Sequence, residues 1–240
     1  MTTVLLVRHG RSTANTSGVL AGHSPGVHLD EVGRQQADRL AQRLGDLPLA
    51  GAISSPLERC LETAQLALAG RPLTIVTEDR VAECRYGDWT GRELKTLVDD
   101  PMWKIVQQHP SAAVFPGVEG EPLQGVQNRS VAAIREWNTW LGDNAVYAVF
   151  SHGDVIKSIL ADALGLHLDQ FQRIVVDPCS VSVVTYTPGR PFVHRMNDTS
   201  GMLDVFTPAP PAHPSGSAEA SNAGDESSDA VVGGGTGHDR

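Results

Sequence analysis

Two histidines in matching settings carry the chemistry of this chain. Arg8-His9-Gly10 follows the apolar run Val4-Leu5-Leu6-Val7, and Ser151-His152-Gly153 follows Ala145-Val146-Tyr147-Ala148-Val149-Phe150. Each reads as a buried strand, a histidine at its carboxyl end, and a glycine where the backbone turns tightly. Open α/β sheets gather their ligands at those carboxyl ends. A neutral imidazole is a competent nucleophile near pH 7 because its pKa lies close by. Arginine beside the first histidine adds a planar, permanently charged fork that suits phosphate oxygens. The combination points to a site that handles a phosphoryl group.

Such a site needs a sheet to hold it, and the first 206 residues alternate between strand and helix patterns. Strands are predicted at Thr3–Val7, Gly51–Ser54, Leu73–Val76, Val146–Phe150, Val181–Thr187 and Phe192–Met196, and helices at about 31–45, 57–69, 94–108, 123–142 and 154–164. From Glu31 the residues Ala37, Leu40, Ala41 and Leu44 share one helix face. Ser55-Pro56 supplies a candidate N-cap and a first-turn proline for the next helix. The order predicts an α/β fold: a three-layer sandwich with a mostly parallel central sheet and helices on both faces. The last two strands, joined through Pro188-Gly189-Arg190-Pro191, read as a hairpin at one side.

Composition narrows the function classes. No apolar run approaches the roughly 20 residues that span a bilayer, and no basic-then-apolar leader precedes Arg8. Cys60, Cys84 and Cys179 are odd in number and widely spaced, which suits reduced thiols and a cytoplasmic setting. The formal charge is −9, and residues 207–240 carry five acids against one arginine, leaving −5 for residues 1–206. No basic face for nucleic acid is visible. An anionic substrate must therefore be held by a few focused arginines. From Thr207 the chain is rich in Pro, Ala, Ser, Gly and acids, and such a stretch cannot offset its ordering entropy by burial. Residues 207–240 are expected to be a disordered tail, dispensable for chemistry. The Gly233-Gly234-Gly235-Thr236-Gly237 run has no strand before it, so it is not a nucleotide loop.

Five motifs in order then resemble one family. Leu6-Val7-Arg8-His9-Gly10-Arg11-Ser12 with Asn15, Leu29-Asp30-Glu31-Val32-Gly33-Arg34, Ser54-Ser55-Pro56-Leu57-Glu58-Arg59, Glu83-Cys84-Arg85-Tyr86-Gly87-Asp88-Trp89 and Ser151-His152-Gly153 are similar to the histidine phosphatase superfamily. That superfamily includes the phosphoglycerate mutases, and the likeness is to its branch with the Arg-His-Gly motif. The resemblance spans residues 3 to about 205. It implies a catalytic domain over 1–206, with a small helical cap inserted at about 84–151. By the same resemblance His9 becomes a phosphohistidine, and Arg8, Arg59 and His152 clamp the non-bridging oxygens. Asn15 and backbone N–H groups near Gly10 and Gly153 are secondary donors at a helix start.

An alcohol leaving group must be protonated as its bond breaks, which calls for a carboxyl held neutral near working pH. The resemblance assigns this to Glu83, with Asp154 as the competitor, because another branch places its donor directly after the second histidine. Here Gly153 intervenes, which favours Glu83. The chemistry needs no metal and no organic cofactor. The other histidines lack metal-ligand spacing, and no Gly-x-x-x-x-Gly-Lys-Ser/Thr loop exists. Asn15-Thr16-Ser17, Asn128-Arg129-Ser130 and Asn197-Asp198-Thr199 fit the glycosylation triplet and mean little in a cytoplasmic protein.

Phosphatases and mutases of the family share the phosphohistidine and differ in the cap. The mutases carry a longer insertion with adjacent basic residues. Region 92–125 holds only Arg92, Lys95 and Lys104, scattered. The expected activity is therefore metal-independent hydrolysis of small phosphate monoesters, best below neutrality as in an acid phosphatase. A phosphomutase is the alternative, and a non-catalytic phospho-ligand module the third reading. Homodimerisation is left open. Three departures from the family pattern stand out: Arg11, Asp30 and Gly201-Met202, with Arg11 expected to add positive charge at the pocket mouth.

Overall fold

A computed structural model describes residues 1–208. The chain runs β1 (Thr2–Arg8), α1 (Thr13–Ser17), α2 (Glu31–Leu44), β2 (Gly51–Ser54), α3 (Glu58–Ala67) and β3 (Ile75–Thr77). It continues through α4 (Leu94–Leu97), α5 (Pro101–Gln108), α6 (Leu123–Leu141), β4 (Val146–Ser151) and α7 (Gly153–Ala163), then β5 (Val181–Tyr186) and β6 (Pro191–Asp198). The six strands form one sheet in the order β3-β2-β4-β1-β5-β6. The first four in that order are parallel, and β5 and β6 are added antiparallel at the β1 side.

Strands buried on both faces read as near-continuous apolar runs, as Val4–Val7 of β1 and 146–150 of β4 do. Val4 and Leu6 pack on one side with Tyr147, Val149, Ile134 and Ile159, against α6 and α7. Leu5 and Val7 pack on the other with Ala148, Phe150, Leu40 and Ala64, against α2 and α3. The three-layer, mostly parallel sandwich is thus as expected.

Four local readings need correction. The helix anticipated over 94–108 is two short helices, because Pro101 opens a new one and the Asp100 carboxylate caps it, accepting from Met102 N–H at 2.9 Å. The helix after Pro56 starts at Glu58, with no side-chain cap from Ser55. The segment 84–151 is not cap throughout: β4 is an inner strand of the sheet, and α6 packs on α7 and β1. The part that stands over the carboxyl end of the sheet is short helices and loops before α6. Finally, neither Gly10 nor Gly153 has positive φ. A Cβ on Gly10 would lie 2.7 Å from the Gly33 carbonyl oxygen, so close backbone approach, not a turn, requires glycine there. Beyond Pro208 the anticipated tail lies outside the described residues.

Candidate active site

Register brings the two histidines together. In the β1–β4 pairing Arg8 stands opposite Ser151, and His9 N–H donates to the Ser151 carbonyl at 3.0 Å. His9 and His152 therefore leave adjacent strands at the same level, with ring centroids 5.3 Å apart. Both are buried. His9 Nδ1 lies 2.7 Å from its neighbour's Gly10 carbonyl, an acceptor, so Nδ1 carries the proton and Nε2 keeps the lone pair. Burial, then the positive charges of Arg59 and Arg8, push the His9 pKa well below the ordinary histidine value. The ring is neutral at pH 7.

His152 is held in the opposite tautomer. Arg59 Nη2, which can only donate, lies 3.1 Å from His152 Nδ1, so the proton sits on Nε2 and donates to Ser55 Oγ at 2.8 Å. Burial, then Arg59, keeps this ring neutral as well. Ser55, read from the sequence as a helix cap, thus serves to orient an imidazole.

Two guanidinium groups face this floor with unused capacity. Arg59 is 1% exposed; its Nη2 donates to the Gly22 carbonyl at 3.0 Å, while its Nη1 has no partner. Arg8 Nη1 donates to the Val176 carbonyl at 2.7 Å, and its buried Nε has none. Neither has a carboxylate within ion-pair distance among the described residues. Buried N–H donors are normally satisfied, and a tetrahedral oxyanion would satisfy these two. Gly153 opens α7 beside them, and a Cβ there would come 3.6 Å from Arg8 Nε. Asn15 lines the same cavity, its Oδ1 accepting from Ser12 N and Oγ in a capping box. Gly10 N–H, in contrast, is already used on Thr63 Oγ1 at 3.0 Å and is not a spare donor.

Glu83 enters from the loop after β3 and is 9% exposed. Its Oε1 accepts from Cys84 N–H at 3.0 Å, and its Oε2 lies 3.6 Å from His152 Nδ1. Burial first, then the nearby Asp154 carboxylate, push its pKa up to about 7. A carboxyl so placed carries a proton near neutrality. Asp154 itself is occupied, accepting from Tyr86 Oη at 2.8 Å.

The sequence reading missed the residue that holds the Glu83 loop. Arg129, from α6, donates to three carbonyls of that loop: Arg80 at 2.7 Å, Ala82 at 2.8 Å and Glu83 at 3.0 Å. Glu121 pairs with the same guanidinium at 2.8 and 3.1 Å. His23 Nε2 donates to the Glu83 carbonyl at 2.7 Å from the other side. Only the Asn-Arg-Ser triplet marked Arg129, for an unrelated reason. The charge expected at the mouth from Arg11 is cancelled, because Arg11 Nε pairs with Asp30 at 2.6 Å. Two of the three departures thus compensate each other.

These residues surround a cavity of about 280 Å³ that includes Arg8, His9, Asn15, Arg59, Glu83, Gly153 and Asp154 in its lining. A neutral imidazole lone pair, two unmatched guanidinium donors and a carboxyl that holds a proton near neutrality are the kinds of group that phosphoryl transfer uses. The comparison with known proteins agrees: residues 4–199 match the model of the histidine phosphatase superfamily, branch 1, and the chain belongs to that family. Phosphoserine phosphatase 1 of Hydrogenobacter thermophilus is 30% identical over 217 residues, covering 87% of this chain and 98% of the relative. The 2,3-bisphosphoglycerate-dependent phosphoglycerate mutase of Thermoplasma acidophilum is 24% identical, over 79% and 90% of the two chains. Among solved structures, YhfR of Bacillus stearothermophilus superposes with a TM-score of 0.77 at 28% identity, covering 83% of this chain and 98% of that one. No helix among the described residues is long and apolar enough to cross a membrane.

Proposed function

We propose that the protein hydrolyses phosphate monoesters through a phosphohistidine on His9. The observation that carries this reading is the pair of partnerless donors, Arg8 Nε and Arg59 Nη1, beside the free Nε2 of His9. In the first half-reaction Nε2 attacks phosphorus in line, the P–N bond forms, and the P–O ester bond breaks. Glu83 gives its proton to the departing alkoxide. In the second, ionised Glu83 takes a proton from water, whose oxygen attacks phosphorus as the P–N bond breaks. Phosphate leaves, and both side chains return to their starting states. Arg8 and Arg59 bind the non-bridging oxygens, with Asn15 and the Gly153 N–H as further donors. His152 acts on them through Arg59: its Nδ1 accepts from Arg59 Nη2 and so orients that guanidinium, while Ser55 holds the ring at Nε2.

A phosphomutase uses the same intermediate but must grip a small carboxylated substrate for return transfer. None of Arg92, Lys95 and Lys104 lines the cavity, and Lys95 pairs with Glu93 at 2.6 Å. This favours hydrolysis. Rapid quenching with an isotopically labelled ester should trap an acid-labile, base-stable adduct that His9→Ala lacks. Inorganic phosphate should appear in step with alcohol, and positional isomers should not. No adduct, or isomerisation in place of phosphate release, would overturn the proposal.

A further inference from the structure

We infer that the alcohol half of the substrate is hydrocarbon-rich and ring-bearing, and not a small carboxylated or polyhydroxylated metabolite. This rests on the phosphatase reading above and concerns the outer half of the same cavity. Beyond the phosphate floor the wall is apolar, formed by Val19, Leu20, Trp89, Trp103, Val106 and Phe115. The aromatic rings brace one another: Trp89 lies 6.2 Å from Trp103 and 5.4 Å edge-to-face from Phe115, which in turn meets Tyr86 at 4.9 Å. Trp103, half-buried, is thus a cavity-lining ring held at little ordering cost, with Trp89 and Phe115 buried behind it. Leu94 also lines the cavity and is 40% exposed, which adds apolar surface on the solvent side.

The polar groups of this outer half are mostly spent on each other. Tyr86 Oη donates to Asp154 Oδ2 at 2.8 Å, and Asp154 Oδ1 lies 3.7 Å from Lys157 Nζ. Lys157 donates to Gln172 Oε1 at 3.1 Å and sits over the Phe171 ring, and Gln172 Nε2 donates to the Val106 carbonyl at 3.3 Å. Lys157, the one lysine or arginine besides Arg8 and Arg59 among the described residues lining the cavity, is thereby paired with a carboxylate, with which a substrate carboxylate would have to compete. Sugar hydroxyls would find Gln107 and few other free partners. A cavity of about 280 Å³ lies near the lower end of the roughly 300–1,000 Å³ typical of ligand pockets, which suits a phosphate carrying one or two rings.

The test compares alkyl esters, whose leaving alkoxides make similar demands on the proton donor: 2-phenylethyl phosphate, ethyl phosphate, 3-phosphoglycerate and O-phosphoserine. The wild type should favour 2-phenylethyl over ethyl phosphate by about tenfold or more in kcat/KM, chiefly through KM, which corresponds to about 1.4 kcal/mol. The two carboxylated esters should fall at or below ethyl phosphate. Trp103→Ala should collapse the phenyl preference, while Trp103→Leu, which keeps apolar bulk under α5, should retain part of it. Equal or better turnover of either carboxylated ester, or a phenyl preference unchanged in Trp103→Ala, would overturn the inference. Calorimetric binding of benzylphosphonate against methylphosphonate reads the wall without turnover. Tight, selective benzylphosphonate binding with no phosphate release from any ester would sink the phosphatase reading and leave the wall intact. Unselective binding with normal turnover would do the reverse.

Discussion

Replacing Glu83 with glutamine isolates a single titration whose size follows from its surroundings. The buried carboxyl has its pKa pushed from 4.5 to about 7. Between those values the native state holds a proton that the unfolded chain has released, so stability falls as pH rises through that window. The gap of about 2.5 pH units converts to about 3 kcal/mol. None of this loss is present below pH 4.5, and all of it is expressed above pH 7. Glutamine stays neutral throughout and keeps the carbonyl that accepts from Cys84 N–H. Urea unfolding of both proteins at pH 5 and pH 8.5 should therefore show Glu83→Gln gaining about 2–3 kcal/mol relative to wild type on going to the higher pH. Subtracting the wild-type change between the two pH values from that of the variant cancels the contributions of His9 and His152, which both proteins share. A stability difference that does not move with pH would refute the reasoning, because it would mean the carboxyl is not held uphill by its surroundings. The same variant should lose alkyl ester turnover far more than p-nitrophenyl phosphate turnover, since the latter's leaving group needs little protonation.

The kcat/KM profile on an alkyl ester should fall above about pH 7 as Glu83 ionises. Its acid limb should lie below 6.5, because burial and Arg59 hold His9 neutral; an acid limb at 6.5 or higher would contradict that environment. Arg129→Met leaves the Arg80 and Ala82 carbonyls without a partner and takes the guanidinium from the Glu83 carbonyl and from Glu121. It should cost about 3 kcal/mol in denaturant unfolding and depress alkyl ester turnover more than aryl, because the displaced group is the proposed proton donor; equal losses would assign Arg129 to stability alone. Gly10→Ala drives a Cβ to 2.7 Å from the Gly33 carbonyl, backbone against backbone. A loss of about 1–3 kcal/mol is expected from such overpacking, and an unchanged melting temperature would rule out the close approach.

The legible parts of this molecule were those whose physics is local. The runs 4–7 of β1 and 146–150 of β4 are apolar because both faces are covered, and each leads into its histidine, so the paired centre was readable from two short runs. The Leu94–Gln108 break was missed because the apolar pattern continues across Pro101, although the proline and its Asp100 cap were in plain view. Ser55 has the composition of a helix cap, and only the third dimension shows its hydroxyl turned to His152. Arg129 was illegible for a deeper reason: its partners are main-chain carbonyls nearly fifty residues earlier in the chain, which no side-chain pattern marks. The Arg11–Asp30 pair lies between these cases, two unusual residues whose mutual explanation required seeing them touch.

The alignment of Arg8 with Ser151 also dates the site in the life of the chain. One histidine is made within the first few residues, while the strand that seats its partner emerges only after more than half the protein has been synthesised. The Cys179 N–H that reaches back to the Arg8 and His9 carbonyls comes later still. Contacts of such long sequence separation form late and slowly. A ribosome-bound fragment ending before Val146 thus cannot own a reaction centre, however well its early helices form. Chemistry begins here only when folding is all but finished.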